Sequence, residues 1–115
     1  MALRGAQYTT KAIEAYDIAI SLEPDDVWND HVNRGNALSD IGKFEDALQA
    51  YDRASSLTTD HGEIYYNRGI VYERMNDIPK ARDAFLSAFH AGLRSEKLAD
   101  RIIAHGLYET VVNLW

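Results

Sequence analysis

The chain of 115 residues contains no cysteine, which removes disulfide frameworks, thiolate nucleophiles and cysteine metal sites together. That absence leaves the redox compartment open, with the cytoplasm as the default reading. No stretch approaches the roughly 20 consecutive apolar residues needed to span a bilayer, and the N-terminus lacks the apolar run and cleavage site of a secretory signal. The chain therefore reads as soluble, with no membrane partner. Positive charge is in deficit: 12 Lys and Arg against 18 Asp and Glu give a net charge of −6. That disfavours nucleic-acid binding, which rests on neutralising phosphates with basic side chains. No Ser-His-Asp order, phosphate-cradling glycine loop or paired-carboxylate motif stands out. The sequence reads as a non-enzyme without a cofactor.

What the chain does contain is a repeat. Asn33-Arg34-Gly35 returns as Asn67-Arg68-Gly69, and Ala47, Ala50 and Ala54 return as Ala81, Ala84 and Ala88, each pair 34 residues apart. An aromatic keeps its place, Tyr51 then Phe85. A third copy lies upstream, where residues 12–22 match residues 47–57 at seven of eleven positions. A period near 34 with small residues at fixed places marks a two-helix unit that must stack on its neighbours to bury its apolar face.

Helical periodicity predicts five helices over about 10–22, 27–41, 44–57, 63–75 and 78–91. Glu23-Pro24-Asp25-Asp26, Gly42, Thr58 to Gly62, Asn76-Asp77 and Gly92 form the breaks. Ser95 is placed to cap a last helix of about 18 residues through Leu98, Ile102, Ile103, Leu107, Val111 and Leu114. The short loops predict antiparallel neighbours. Gly35 and Gly69 fall in mid-helix, where glycine costs about 1 kcal/mol against alanine, so a close helix contact is expected there.

These residues resemble the tetratricopeptide repeat family. Residues 28–61 carry Gly35, Leu38, Gly42, Phe44, Ala47, Tyr51 and Ala54 of its pattern; residues 62–95 carry Tyr65, Gly69, Tyr72, Ala81, Phe85 and Ala88. Ala12, Tyr16, Ala19 and Pro24 match the end of a preceding unit. Arg34 and Arg68 depart from the pattern, standing where the family usually has leucine; Thr59 replaces one closing proline and Asn76 one turn glycine. The resemblance implies an all-α fold of antiparallel helical hairpins stacked in a right-handed superhelix. Within one domain it implies a truncated first repeat (1–26), repeats over 28–61 and 62–95, and a capping helix over 96–115. It implies a non-catalytic module that binds a protein or peptide partner in a concave groove lined by the first helix of each pair.

On that basis the expected peptide contacts are Asn33, Asn36, Tyr66, Asn67, Lys97 and Arg101. One subgroup of the family grips a peptide's C-terminal carboxylate, and its places fall on Val32, Asn36, Asn67, Lys97 and Arg101, so four of five fit. The plain alternative is that these are solvated helix-surface groups. Tyr65 and Tyr72 occupy core places; Tyr66 lies one residue off that stripe, and Trp28 opens its helix. Arg34 and Arg68 read either as snorkelling side chains or as paired anion anchors. His31, His61, His90 and His105 do not form a metal set: His105 with Glu109, and Asp26, Asp30 with His31, lack three ligands at a recognised spacing.

The register places Met1 inside the first helix of the first repeat, and the chain stops on Val111-Val112-Asn113-Leu114-Trp115. Either the chain is a fragment, or its ends are covered. Ala12, Ile13, Tyr16 and Ile20 would lack their usual cover, so a homodimer through the terminal helices is a further expectation.

Overall fold

Four helices of this chain stop in the same way. In the computed structural model, which describes residues 2–22 and 28–114 (side chains from residue 7), Gly42, Asn76, Gly92 and Gly106 all have positive φ, between 60° and 100°. At each, the following residue's N–H reaches back five residues: Lys43 to the Leu38 carbonyl, Asp77 to Tyr72, Leu93 to Ala88 and Leu107 to Ile102. This left-handed C-cap satisfies carbonyls that a helix end otherwise leaves unpaired. Asn76 does at φ 60° what glycine does elsewhere, as asparagine tolerates that region better than most side chains.

The stops delimit α1 (Ala2–Leu22), α2 (Trp28–Asp40), α3 (Phe44–Leu57), α4 (Gly62–Arg74), α5 (Ile78–His90), α6 (Glu96–Ala104) and α7 (Tyr108–Val111). No strand occurs among the described residues. Asp77 caps α5 by accepting from the Lys80 N–H, with Pro79 in the first turn. Ser95 caps α6 by accepting from the Leu98 N–H, as the sequence predicts.

Contacts divide the chain into two compact units, Met1–Thr59 and Asp60–Trp115. In the first, the hairpin of α2 and α3 buries Leu38, Ala47, Ala50, Tyr51 and Ala54, and α1 packs on α2. In the second, Ala81, Phe85, Ala88 and Phe89 of α5 form a core with Leu98, Ile102, Leu107 and Val111. The mid-helix glycines explain both hairpins. A Cβ on Gly35 would lie 2.6 Å from Cε1 of Tyr51, and one on Gly69 would lie 2.5 Å from Cε1 of Phe85. Each glycine is the seat of the repeat's aromatic ring.

Three expectations need correction. The first helix begins at Ala2 rather than near residue 10. The single C-terminal helix is two: Gly106, at φ 72°, ends α6, and the chain restarts as α7 with Leu107 turned into the core. Ala12, Ile13, Tyr16 and Ile20 are half-buried rather than uncovered, because α1 packs them on α2. Among the described residues, the large exposed apolar side chains of α1 are instead Tyr8, Ile18 and Leu22. The break expected at residues 23–26 and the terminal Trp115 lie outside the described residues.

Candidate functional site

In the first unit, α1 and α2 enclose a groove of about 190 Å³, lined by Tyr8, Thr9, Ala12 and Tyr16 from one side and Asn33, Asn36, Ala37 and Asp40 from the other. It brings together the two expected contacts Asn33 and Asn36, one helical step apart on α2. The Asn36 amide is oriented from behind: its Oδ1 accepts the hydroxyl proton of the buried Tyr51. Below the groove, Arg34 Nε donates to Asp17 Oδ1 at 2.6 Å and ties α2 to α1. Arg34 therefore already has an anion. His31 sits beside this pair. Burial lowers its pKa from the ordinary 6.5, the Arg53 and Arg34 guanidiniums lower it further, and Asp30 and Asp17 oppose them.

The second unit assembles Tyr66, Lys97 and Arg101, the first from α4 and the others from α6. The Tyr66 ring leans on Phe85, with centroids 5.8 Å apart, and Lys97 Nζ stands 4.9 Å from the Tyr66 centroid. Both cations hold carboxylates. Lys97 pairs with Glu63 at 3.3 Å, and Arg101 Nη1 donates to both oxygens of Glu73 at 3.2 and 3.1 Å. His105 Nε2 meets the same carboxylate at 2.5 Å while its ring lies 5.3 Å from Phe85. Asn67 is half-buried on α4, next to Tyr66. Tyr65 and Tyr72 pack against the core cluster, as their places imply. Sequence reasoning missed Glu63 and Glu73. Glu63 could have been found, since it precedes Lys97 by 34 residues, one full repeat.

An apolar cavity of about 300 Å³ also opens between α6 and α7, lined by Ala99, Ile102, Ile103, Tyr108, Val111 and Val112. Among the described residues, no three His, Asp or Glu side chains come together as metal ligands, and no helix is long and apolar enough to cross a membrane.

The family profile described as TPR repeat matches residues 35–76, from mid-α2 through α4. Of solved structures, the crystal structure of MamA superposes with a TM-score of 0.63 at 22% identity, covering 88% of this chain. Residues 35–76 match a tetratricopeptide repeat, and the fold is of that type. The chain spans 61% of the MamA chain. Comparison with curated proteins gives no match. TPR domains bind protein partners and are generally non-catalytic. Lys97 and Arg101, where the resemblance leads one to expect a grip on a carboxylate, are each paired with a carboxylate of the chain itself, Glu63 and Glu73.

Proposed function

We propose that this TPR-type domain is a non-catalytic protein-interaction module that binds a peptide or partner helix through the polar residues of its first-position helices. The observation that carries the reading is the division of labour within each hairpin. The second helices, α3 and α5, bury their alanines and aromatic ring, while the first helices keep Asn33, Asn36, Tyr66 and Asn67 at least partly accessible. Polar groups on rigid elements, with an oriented amide and an aromatic face, suit recognition of a peptide backbone and its side chains. Asn33 and Asn36 in the first unit, and Tyr66, Asn67, Lys97 and Arg101 in the second, are the proposed contacts. A peptide array probed with the chain and with its Asn67→Ala and Arg101→Ala variants tests this. Loss of signal in the variants supports the assignment, and unchanged binding by both moves the contacts elsewhere.

A second reading is self-association. On α1, Tyr8, Lys11, Ala15, Ile18 and Leu22 are all exposed and recur at alternating three- and four-residue steps, the spacing of a helix–helix seam. Ile18 is 61% exposed and Leu22 75%. In the equivalent place on α3, Ile18 is replaced by Arg53, and on α5 by Ser87. An exposed isoleucine that both sister helices replace with a polar residue, next to the exposed Leu22, fits a two-fold contact between copies. Light scattering over a dilution series decides it. A concentration-dependent dimer that Ile18→Asp dissolves supports the reading, and a single 13.0 kDa species at every concentration refutes it.

A further inference from the structure

We infer that Glu63 and Glu73 close the face formed by α4 and α6 to carboxylates, so that the partner meets it with an internal stretch free of acidic side chains and not with an acidic tail. This rests on the peptide-binding reading above and adds what the second unit selects. The two cations of α6 are already answered from within the chain. Lys97 Nζ lies 3.3 Å from Glu63 Oε2, and Arg101 Nη1 donates to both oxygens of Glu73 at 3.2 and 3.1 Å. The two ion pairs together carry no net charge, and the exposed Asp100 on the same helix adds a negative one.

The strength of the pairs is not what excludes an anion. Lys97 and Glu63 are both about half exposed, and such surface pairs are individually weak. Glu63 can be turned aside, but its charge stays on the face, and an incoming carboxylate enters beside a like charge. Glu73 is held more firmly: its side chain is 20% exposed and is shared by Arg101 and by Nε2 of His105, whose ring lies against Phe85. A carbonyl fares differently. It has no net charge to be repelled, costs less to desolvate than a carboxylate, and can accept from Lys97 and Arg101, which carry more N–H donors than these pairs use. The Tyr66 ring, 4.9 Å from Lys97 Nζ, and the neighbouring Asn67 amide offer the rest of the face, and neither is charged.

The repeat itself does not ask for these carboxylates. One period earlier, the places of Glu63 and Glu73 hold Asn29 and Ser39, neither of them charged. Both acids are therefore particular to the second unit, and each stands opposite one of the two cations of α6. The wider charge balance agrees. Residues 60–115 carry seven Lys and Arg against eight Asp and Glu, so no net positive field draws an acidic tail from a distance.

The test is an amide-resonance titration of the ¹⁵N-labelled full chain, and of its Glu63→Gln/Glu73→Gln variant, with two peptides: acetyl-Ser-Leu-Glu-Leu-Asp with a free C-terminus, and acetyl-Ser-Leu-Gln-Leu-Asn-amide. Glutamine keeps an acceptor for Arg101 and His105 and removes only the charge. The parent chain should bind the acidic peptide no tighter than the neutral one. The double variant should bind the acidic peptide at least tenfold tighter than the parent does, with shifts at Lys97 and Arg101, and about 0.5 M salt should remove the gain. If the double variant does not fold, the half-exposed Glu63→Gln alone decides: an at least threefold gain supports the inference, and none overturns it. A tenfold preference of the parent for the acidic peptide, or a folded double variant without the gain, also overturns it. Array peptides that bind while no gain appears sink this inference and leave the peptide-binding function standing. A gain with no array peptide bound upholds the two carboxylates as a barrier and overturns that function, and neither result overturns both.

Discussion

The hydroxyl of Tyr51 on α3 donates to Oδ1 of Asn36 on α2, and one repeat later the same two places hold Phe85 and Ile70, both apolar. The polar pair and the apolar pair are alternative solutions to one contact. Each leaves no buried group without a partner, whereas a mixed pair would strand a hydroxyl or half-bury an idle amide.

Tyr51→Phe should therefore cost about 1 kcal/mol, the usual net worth of a hydrogen bond. Asn36→Ile in the wild-type background should cost at least as much, because Tyr51 is 1% exposed and loses its acceptor. The double variant, which copies the second repeat, should be more stable than the sum of the singles implies, with a coupling of about 1 kcal/mol in urea unfolding. Strict additivity contradicts the pairing.

Gly69→Ala sets helix propensity against packing. Alanine gains about 1 kcal/mol of intrinsic preference, but its Cβ would fall within 2.8 Å of three Phe85 ring carbons. Overpacking of a sealed core costs about 1–3 kcal/mol, and Phe85 is fully buried, so the net effect should be destabilising. Phe85→Leu should partly relieve it, and a stabilised Gly69→Ala protein would contradict the close seat.

Stability should fall in mild acid through His31. Its folded-state pKa lies below the ordinary 6.5 because of burial and two guanidiniums, so below pH 6.5 the unfolded chain binds more protons than the folded one. The contribution is intact above about pH 6.5 and is lost as pH drops below it. His31→Gln should flatten the stability profile in that interval, and an unchanged slope would contradict the assignment.

Glu73 holds α6 to α4 through both Arg101 and His105. Glu73→Ala should cost about 1–2 kcal/mol, since two partners lose one acceptor but Arg101 is partly screened by solvent. Hydrogen exchange should rise first in residues 96–105. Uniform change across the chain would contradict a local tie.

The hairpins are legible in the sequence because their determinants are local or periodic. Ala47, Tyr51 and Ala54 repeat as Ala81, Phe85 and Ala88, and Gly42, Asn76 and Gly92 mark the ends. Gly106 was equally visible but stood inside an apolar periodic stretch, so the restart at Tyr108 was not. The pairs of Lys97 with Glu63 and Arg101 with Glu73 join helices 34 and 28 residues apart in sequence. Periodicity names a face but not its partner. The same is true of Asn36, legible as a surface amide while its bond to Tyr51 needed the packed hairpin.

The central claim is that the first helix of each hairpin, and not the second, meets the partner. Resonance mapping of the full chain with the tightest array-selected peptide tests it most directly. Shifts should concentrate on residues 28–40, 62–74 and 96–104, with those of α3 and α5 unmoved, and Tyr66→Ala should weaken binding at least tenfold. Shifts confined to α3 and α5, or affinity indifferent to Tyr66, would contradict it.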